Sequence, residues 1–529
     1  MKHLSLAPLV SLLPFVLAAC SAADGGGNLG VIGDPPAPET SDAGPSGQGD
    51  GAATSPVFAP EEPDAAVEAA PEPPKEPELV PVKELAIGEL AIFQGVKVPL
   101  EKDGVPDAGK KVHVVAGREG ILRVYVAPTT AWSAREVVAE ITLQVEGRPK
   151  AVLTATKTVT AASTDATLDS TINVAIPSGA IEMGARYKVR LLTKPGQSGA
   201  VTRASFPEGD ALEPLDVWDT GASLKVVLVP VKSNARVPDI SAEQLARYRG
   251  QLQAMYPVRT IDLKVRDVYE YPGTLGAGGS GIYALLDAVT SLRKSDGAES
   301  DVYYYGVFTP TSSFSTYCSG GCTTGLCHLT GPSDTYLRAC VGVGFTGSSS
   351  AGTMAHELGH AHGIRHAPCG GVSGSDTSYP YSGGKIGSWG IDLRSNTLMS
   401  PTKHYDFMSY CGPEWISDYA FDRIIHRMDY VRKNAMVVGA EARTYTFVHV
   451  LPDGSLEWGS DITLDEPMFG EPHEVAYVGK DGARAKVTGY FHPYGEEGGS
   501  LLVPKAIAAF DAIEVSGFSA IARRLPALR

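Results

Sequence analysis

The stretch "HELGHAHGIRH", residues 356–366, carries four histidines and one glutamate within eleven residues. On an α-helix, His356 and His360 lie four residues apart and present two imidazoles on one face. The roughly opposite face is apolar and comprises Met354, Leu358 and Ala361. The sequence therefore predicts a helix that packs into a core on one side and offers two metal-ligating nitrogen atoms on the other, at a spacing that suits one tetrahedral zinc ion.

The helix is expected to cover "SSSAGTMAHELGHAHG", residues 348–363, with a serine near 349–350 as its cap and Gly363 as its terminator. Gly363 can adopt the left-handed conformation, which turns the chain so that His366 returns towards the pair. His362 points away from the pair and is not expected to bind metal. The predicted zinc ligands are His356, His360 and His366. Three nitrogen ligands leave a fourth position for water, the arrangement of catalytic rather than structural zinc.

Glu357 follows the first ligand directly and cannot reach the metal in the same way. We predict that it is the general base, which takes a proton from an attacking water molecule and returns it to the leaving amine. The alternative is a chance group of histidines on a solvated helix. The full H-E-x-x-H-x-x-G-x-x-H pattern, with a glycine at the only place where the chain must turn, is far more specific than H-E-x-x-H alone.

The eleven residues resemble the long zinc signature of the metzincin metalloproteases. That family also carries a methionine turn beneath the zinc, and "YDFMSYC" (405–411) offers Met408 for this turn. Tyr410 matches the tyrosine that in some members binds the resting zinc and stabilises the oxyanion. The alternative for Met408 is an ordinary core methionine, and the alternative for Tyr410 is a side chain that only packs. The resemblance covers roughly residues 220–433 and implies a zinc metalloendopeptidase, although Ala367 stands where several subfamilies have aspartate.

The segment "ACVGVGFTG", residues 339–347, predicts a strand just before the zinc helix. The resemblance implies that this is an edge strand, which pairs with extended substrate through main-chain hydrogen bonds. Its glycines also have the G-x-G-x-x-G spacing of dinucleotide-binding loops. We discount that interpretation because the helix that the loop opens carries the zinc ligands.

The hydrophobic pattern divides the rest of the folded chain into three regions. Residues 81–215 show short alternating runs between turn residues, which predict a β-sandwich. In residues 216–433 strands alternate with helices, which predicts an α/β (α+β) metzincin-like catalytic domain with a mixed, mostly parallel sheet. Residues 434–529 return to short strands and turns and are expected to form a small β-rich domain.

The N-terminus predicts export. Residues 1–20 have a short positive start and an apolar run, and they end in Leu-Ala-Ala-Cys, which resembles a lipoprotein signal with Cys20 as the lipidated residue. An ordinary signal peptide is the alternative. Residues 21–80 are rich in Pro, Ala and Gly and are expected to be a disordered tether. They hold twelve acidic residues and one lysine, so they carry most of the net charge of −15.

The other six cysteines fall within residues 318–411, which in an exported chain predicts three disulfides. Six cysteines allow fifteen connectivities, and the sequence does not choose between them. A thiolate zinc site at Cys318, Cys322 and Cys327 is the alternative. We disfavour it because free thiolates do not persist in an oxidising compartment and the spacing is not the usual paired one.

These observations predict an exported, monomeric zinc endopeptidase that cleaves extracellular proteins or glycoproteins. It would be lipid-anchored at the bacterial cell envelope or surface through Cys20, or secreted, and the layout is similar to bacterial secreted metzincins that cleave mucin-like glycoproteins. The nearly neutral folded part gives no reason to expect nucleic acid as a partner. Two alternatives stay open: a glycoprotein-binding adhesin with a vestigial zinc domain, and a zinc amidase that acts on cell-wall material.

Overall fold

A computed structural model describes residues 77–107, 109, 111–434, 439–506, 510–518 and 521–523. The predicted signal (1–20), the lipidated Cys20 and the tether up to residue 76 lie outside the described residues. The described residues from Leu79 onward belong to one compact unit. Among the helices of the described part, none has both the length and the apolar composition needed to cross a bilayer.

Two antiparallel sheets form the N-terminal part of the described chain. One has the order β1-β10-β7-β8, with β11 and β12 also pairing β10, and the other has the order β4-β3-β2-β6-β9. The short strands β5 and β13 pair with each other in parallel. The bounds are β1 Val80–Pro81, β2 Leu85–Phe93, β3 Lys97–Lys102, β4 Val105–Pro106, β5 Val114–Val115, β6 Gly120–Pro128, β7 Arg135–Gln144, β8 Ala151–Val159, β9 Ile172–Ile176, β10 Arg186–Thr193, β11 Ser205–Phe206, β12 Glu213–Pro214 and β13 Val217–Trp218.

The sequence of β7 explains why these strands form sheets. Every second side chain of "REVVAEITLQ" is buried, as the two-residue period of a strand requires. The buried members are Val137, Ala139, Ile141 and Leu143. Buried residues of the other sheet, such as Leu90 and Leu122, belong to the same hydrophobic core. The two sheets therefore share one apolar interior.

The central sheet has the order β15-β14-β17-β19-β18. Neighbouring strands run parallel except β18, which is antiparallel to β19, and β16 also pairs β14 in parallel. The strand bounds are β14 Ser223–Lys232, β15 Thr260–Val265, β16 Tyr269–Glu270, β17 Val302–Phe308, β18 Gly325–Cys327 and β19 Ala339–Val343. The α-helices of the described residues are α1 Ala242–Met255, α2 Ile282–Ser295, α3 Phe314–Tyr317, α4 Ser348–Ala361 and α5 Asp418–Lys433.

The prediction that residues 339–347 form an edge strand is wrong. The strand β19 ends at Val343, and it pairs with β17 on one side and with β18 on the other. Cys327 of β18 lies opposite Cys340 of β19 and forms a disulfide with it, which fixes the short β18 at the edge. A three-residue strand has no periodicity to reveal it, so the edge of the sheet is one strand further out than the sequence indicates.

Helix α4, which carries the histidine pattern, differs from its prediction at its start, whereas its apolar face is as predicted. No serine caps it, because Gly347 is the N-cap and carries no side chain. Instead, the side chain of Gln244 from α1 accepts from the Gly347 N–H at 2.8 Å and donates to its carbonyl at 3.0 Å. A tertiary contact thus replaces the local cap. The predicted apolar face is confirmed, since Met354, Leu358 and Ala361 are fully buried.

A seven-stranded antiparallel sheet with the order β25-β24-β28-β27-β26-β29-β30 follows α5. Its strands are β24 Arg443–Val450, β25 Leu456–Leu464, β26 Glu471–Val478, β27 Arg484–Pro493, β28 Gly499–Pro504, β29 Ala512–Val515 and β30 Ile521–Arg523. Two small pairs lie between α4 and α5: β20 Gly390–Asp392 with β21 Thr397–Met399, and β22 Tyr405–Asp406 with β23 Glu414–Trp415. The fold is thus mixed α/β, mostly sheet with few helices.

Arg118 joins the N-terminal sheets to the central part of the molecule. Its guanidinium is buried and donates to the carbonyl of Gln94 at 2.9 Å. It also donates to carbonyls at and after the end of α1, those of Gln253, Ala254, Tyr256 and Val258. Burial lowers the pKa of Arg118 to about 10, which leaves the side chain charged at neutral pH. One cation therefore satisfies several buried carbonyl oxygens at this junction.

Candidate metal centre

Three imidazoles converge at the end of α4. The Nε2 atoms of His356 and His360 are 3.1 Å apart, and each lies 3.2 Å from the Nε2 atom of His366. In a tetrahedral site with Zn–N bonds of about 2.0–2.1 Å, neighbouring nitrogen ligands are about 3.3 Å apart. The triangle therefore has nearly the dimensions of one face of a zinc tetrahedron.

Each imidazole is oriented through its other nitrogen atom. The Nδ1–H groups donate to main-chain carbonyl oxygens: His356 to Phe407 at 2.8 Å, His360 to Ile364 at 2.8 Å, and His366 to Ser373 at 3.0 Å. Because Nδ1 carries the proton of the neutral imidazole, each Nε2 atom directs an unprotonated lone pair towards the other two. Three converging lone pairs repel one another unless a cation lies between them, so this donor set fits a metal ion.

Gly363 makes the return of His366 possible. Its φ of +78° is left-handed, and its N–H donates to the carbonyl of His360 at 2.7 Å. A Cβ atom there would overlap the guanidinium of Arg427 and lie 3.0 Å from the carbonyl oxygen of Thr330. Both the backbone conformation and the space therefore require glycine at this position.

Met408 lies directly beneath α4. It is fully buried, and its Sδ atom occupies the space that a Cβ atom on Gly359 would need. The turn around it is held by Asp406, whose carboxylate accepts from the N–H groups of Met408 at 2.8 Å and Ser417 at 3.0 Å. Since the carbonyl of Phe407 accepts from the first ligand, this turn both supports the helix and orients His356.

Glu357 is buried on the same helix as two of the imidazoles. Its side chain lies against Gly325 of β18, where a Cβ atom would overlap its carboxylate. Among the described residues, its Oε2 atom has no hydrogen-bond partner. Burial raises the pKa of Glu357 well above that of an exposed glutamate, and the nearby charge of Glu496 raises it further. A buried carboxylate with an unpartnered oxygen thus belongs to the residue that directly follows His356.

Burial also determines the charge of the imidazoles. It lowers the pKa of His356 to about 4, and the charge that His366 carries when protonated acts in the same direction. Burial lowers the pKa of His360 well below the ordinary value, with the protonated forms of His356 and His366 adding to the effect. The neutral form of an imidazole is the form that binds a metal. Burial therefore keeps both side chains ready to bind.

His362 takes no part in the triangle, as its position on the helix predicts. Its Nδ1–H donates to the carbonyl of Leu358 at 2.7 Å, and its ring stacks on Tyr303 with centroids 4.6 Å apart. Burial lowers the pKa of His362 to about 3. The fourth histidine of the pattern is therefore a neutral core residue.

The structure also brings Tyr410 and a residue that the sequence did not suggest to this site. The ring centroid of Tyr410 is 5.1 Å from that of His366, and its hydroxyl donates to Oε2 of Glu496. The other carboxylate oxygen, Oε1 of Glu496, is 3.4 Å from Nε2 of His366. Glu496 lies between β27 and β28 in "YGEEGG", where nothing local distinguishes it from an acidic surface turn. No sequence signal links it to the histidines.

A second group of potential ligands is more open. His113, Asp422 and His426 offer atoms that all lie within 4.8 Å of one another, but the imidazole–carboxylate distances are 3.6 and 3.4 Å. His426 is half exposed, and Nδ1 of His113 pairs with Asp216 at 2.8 Å. The centre around His356 has shorter ligand distances, deeper burial and a glutamate with an unpartnered carboxylate oxygen, so it is the better candidate for chemistry.

Three disulfides support the region, as the cysteine count predicts. The pairs, which the sequence left open, are Cys318–Cys322, Cys327–Cys340 and Cys369–Cys411. The second joins β18 to β19, and the third joins the segment after His366 to the end of the Met408 turn. With all six sulfur atoms in disulfides, the alternative thiolate zinc site has no free ligands.

No match was found among the curated proteins. Among solved structures, metalloproteinase-II from Bacteroides fragilis is similar at 14% identity, over 60% of this chain and 85% of that chain, with a TM-score of 0.24. Residues 280–448, which include the histidine stretch and the Met408 turn, match the family model of Peptidase M66, and this match supports a metalloprotease with a metal cofactor.

Proposed function

We propose that the chain is a zinc-dependent endopeptidase with a metzincin-like catalytic domain. One observation carries the proposal: three Nε2 atoms converge at 3.1–3.2 Å, and Glu357 on the same helix keeps a buried carboxylate oxygen that has no partner among the described residues. The mostly parallel central sheet and the position of Met408 beneath α4 add support.

Three side chains would bind the zinc ion, those of His356, His360 and His366. When bound, zinc polarises the carbonyl group of the scissile peptide and lowers the pKa of a water molecule. Glu357 takes the proton from the attacking water, and its raised pKa lets it hold that proton until the leaving amine accepts it. The Tyr410 hydroxyl, which lies beside the ligands, donates to the developing oxyanion.

The substrates that we propose are extracellular proteins or glycoproteins, cleaved by a monomeric enzyme. The signal pattern at residues 1–20 and the acidic tether support export and anchoring through Cys20, at the cell envelope or surface. The three disulfides agree with an oxidising compartment. Mucin-like glycoproteins are the substrate class that the sequence resemblance favours.

Substitution of Glu357 tests the catalytic assignment. We expect the full-length protein to bind about one zinc ion per chain through its three histidines and to cleave a proteome-derived peptide library, casein or mucin. Removal of the metal with a chelator should abolish cleavage, and added zinc should restore it. Glu357→Ala should retain zinc but lose cleavage by roughly 10²–10⁴-fold, the usual contribution of a general base.

The matched control is Glu243→Ala, which removes an exposed glutamate from helix α1 and should change neither zinc content nor cleavage. If Glu357→Ala keeps its zinc and cleaves as fast as the unmodified protein, the role assigned to Glu357 is wrong. If peptidoglycan is hydrolysed and no protein is, the alternative of a cell-wall amidase replaces the endopeptidase.

A further inference from the structure

A turn of the C-terminal sheet lies over the three imidazoles. We call residues 494–498, between β27 and β28, the acidic turn. Its Glu496 places Oε1 3.4 Å from Nε2 of His366, and all four potential ligand atoms lie within 4.8 Å of one another. Because the Nδ1–H of His366 is donated to Ser373, the lone pair of its Nε2 faces the carboxylate. A cation between these two electron-rich atoms, whether a proton or a metal ion, removes their repulsion.

The backbone that leads to Glu496 is bound like an extended peptide ligand. The N–H of Leu329 donates to the carbonyl of Pro493, and the N–H of Gly495 donates to the carbonyl of Cys327, both at 2.9 Å. His328 and Tyr494 form an antiparallel bridge between these two contacts. Residues 493–495 therefore pair antiparallel with residues 327–329, at the end of the edge strand β18, which is the way in which extended peptides add to a sheet.

Gly495 brings this backbone very close to the metal ligands. A Cβ atom at residue 495 would overlap the imidazole of His360, so only glycine lets the turn lie so near the ring. The next residue, Glu496, is also fixed by the hydroxyl of Tyr410, which donates to its Oε2 atom. The turn thus covers one imidazole with its main chain and reaches a second with its carboxylate.

The base of the turn is held by a buried polar network, whereas Glu496 at its tip is held by the Tyr410 hydroxyl and is partly exposed. The Tyr494 hydroxyl contacts Nδ1 of His449 at 2.8 Å and the hydroxyl of Ser500 at 2.7 Å. Nε2 of His449 lies 3.1 Å from the buried carboxylate of Asp287 on α2. The side chain of Glu496 is 26% exposed, whereas Tyr494 and His449 at the base of the turn are buried.

We propose that Glu496 is the fourth protein ligand of the metal and that residues 493–496 occupy the place of the substrate. The metal centre is then closed in this structure, because Glu496 takes the fourth ligand position. Cleavage requires the Glu496 carboxylate to leave that position. This inference rests on the proposed endopeptidase function. The substrate that it implies is an extended peptide, which pairs with the edge at Cys327–Leu329 and competes with the chain's own segment.

The experiment compares Glu496→Ala, Glu496→Gln and the control Glu497→Ala in the full-length protein. Glu497 is the exposed neighbour in the same turn and has the same charge. Zinc affinity is measured by chelator competition. Access to the metal is measured as the affinity of acetohydroxamate for the cobalt-substituted protein, from its visible absorption spectrum. Neither measurement depends on peptide cleavage.

We expect Glu496→Ala to weaken zinc binding by roughly tenfold to a hundredfold, the size of loss found when a group that supports a metal site is removed. Acetohydroxamate should bind it at least about tenfold more tightly, because no carboxylate competes for the fourth position, and peptide cleavage should rise. Glu497→Ala should match the unmodified protein. Glu496→Gln keeps the volume of the side chain and can still accept a hydrogen bond from Tyr410. It therefore tests whether the carboxylate is a metal ligand even if the alanine variant does not fold.

Unchanged zinc and acetohydroxamate affinities in both Glu496 variants would overturn the proposal. Slower cleavage in Glu496→Ala, with its zinc content restored, would also overturn it, because the carboxylate would then assist the reaction rather than block it. If both affinities change as expected but no variant cleaves any peptide, Glu496 is a ligand of a closed metal site and the proposed endopeptidase function fails. The two failures are therefore distinguishable.

Discussion

The nitrogen atom that an imidazole offers to a metal depends on the partner of its other nitrogen atom. Here the partners are the carbonyl oxygens of Phe407, Ile364 and Ser373. Phe407 and Ser373 lie outside the eleven-residue pattern, so the pattern supplies the ligands while distant backbone orients two of them. A shift of the Met408 turn would therefore rotate His356 without any change in the helix itself.

At the residue scale, burial predicts how zinc binding depends on pH. Because burial lowers the pKa of His356 to about 4, protons do not compete with zinc at this nitrogen in the neutral range. At this imidazole we expect proton competition only as the pH approaches 4, instead of from the ordinary imidazole pKa of about 6.5. An NMR titration of the His356 ring in the metal-free protein provides the measurement, and protonation of this ring between about pH 6.5 and 5.5 would contradict the prediction.

The three converging imidazoles and the glutamate beside them could be found from the sequence because their spacing is local. His356, Glu357 and His360 share one helix, and Gly363 marks the turn that returns His366. Glu496 could not be found, because its place depends on how a separate sheet packs against the edge of the central sheet. Main-chain hydrogen bonds hold it there, and such bonds do not require particular residue types in the sequence.

At the scale of elements, the metal centre depends on how α4 and the Met408 turn are tied together. The disulfide Cys369–Cys411 closes a loop across a sequence separation of 42 and fixes the segment after His366 to the end of that turn. The disulfide Cys318–Cys322 spans a separation of only 4. Because loop-closure entropy grows with loop length, these two bonds constrain the unfolded chain very differently.

Removal of each disulfide tests this difference. Replacing Cys369 and Cys411 with serine should destabilise the protein by about 4 kcal/mol, against about 2 kcal/mol for the same change at Cys318 and Cys322, by the chain-entropy relation. The measurement is the unfolding temperature of each double variant under oxidising conditions, and the first should show the larger drop. Equal drops would mean that loop length does not govern the effect.

The elements themselves were predictable to different degrees. The buried faces of α4 and α5 follow the helical period, and Phe421, Ile424 and Ile425 are fully buried as that period requires. The start of α4 was not predictable, because Gln244 from another helix binds Gly347 in place of a serine cap. The edge strand was not predictable either, since β18 is fixed by a disulfide pairing that the sequence leaves open.

At the scale of the whole molecule, the side chain of Arg118 joins the N-terminal sheets to the central part. We expect Arg118→Met to lower the unfolding temperature by an amount that corresponds to several kcal/mol, because it removes the guanidinium donor from the buried carbonyl oxygens of Gln94 and Val258. Zinc affinity should not change, since none of these carbonyls contacts the metal centre. Thermal unfolding and chelator competition measure the two effects separately.

Arg148→Met is the control for this prediction, because Arg148 is an exposed arginine of the same region. It should leave the unfolding temperature within about a degree or two of the unmodified protein, as surface substitutions usually do. If Arg118→Met is as mild as the control, water satisfies the carbonyls and the junction does not depend on this cation.

The acidic turn has a consequence for the order of events as an exported chain emerges and folds. The chain emerges from its N-terminus, so the segments that carry the three imidazoles and Met408 emerge before the acidic turn. A metal ion present at that stage meets an open triangle of nitrogen atoms, whereas one added to the finished apoprotein must pass the turn. The metal content of a purified sample then records when the ion was supplied, as well as how tightly it binds.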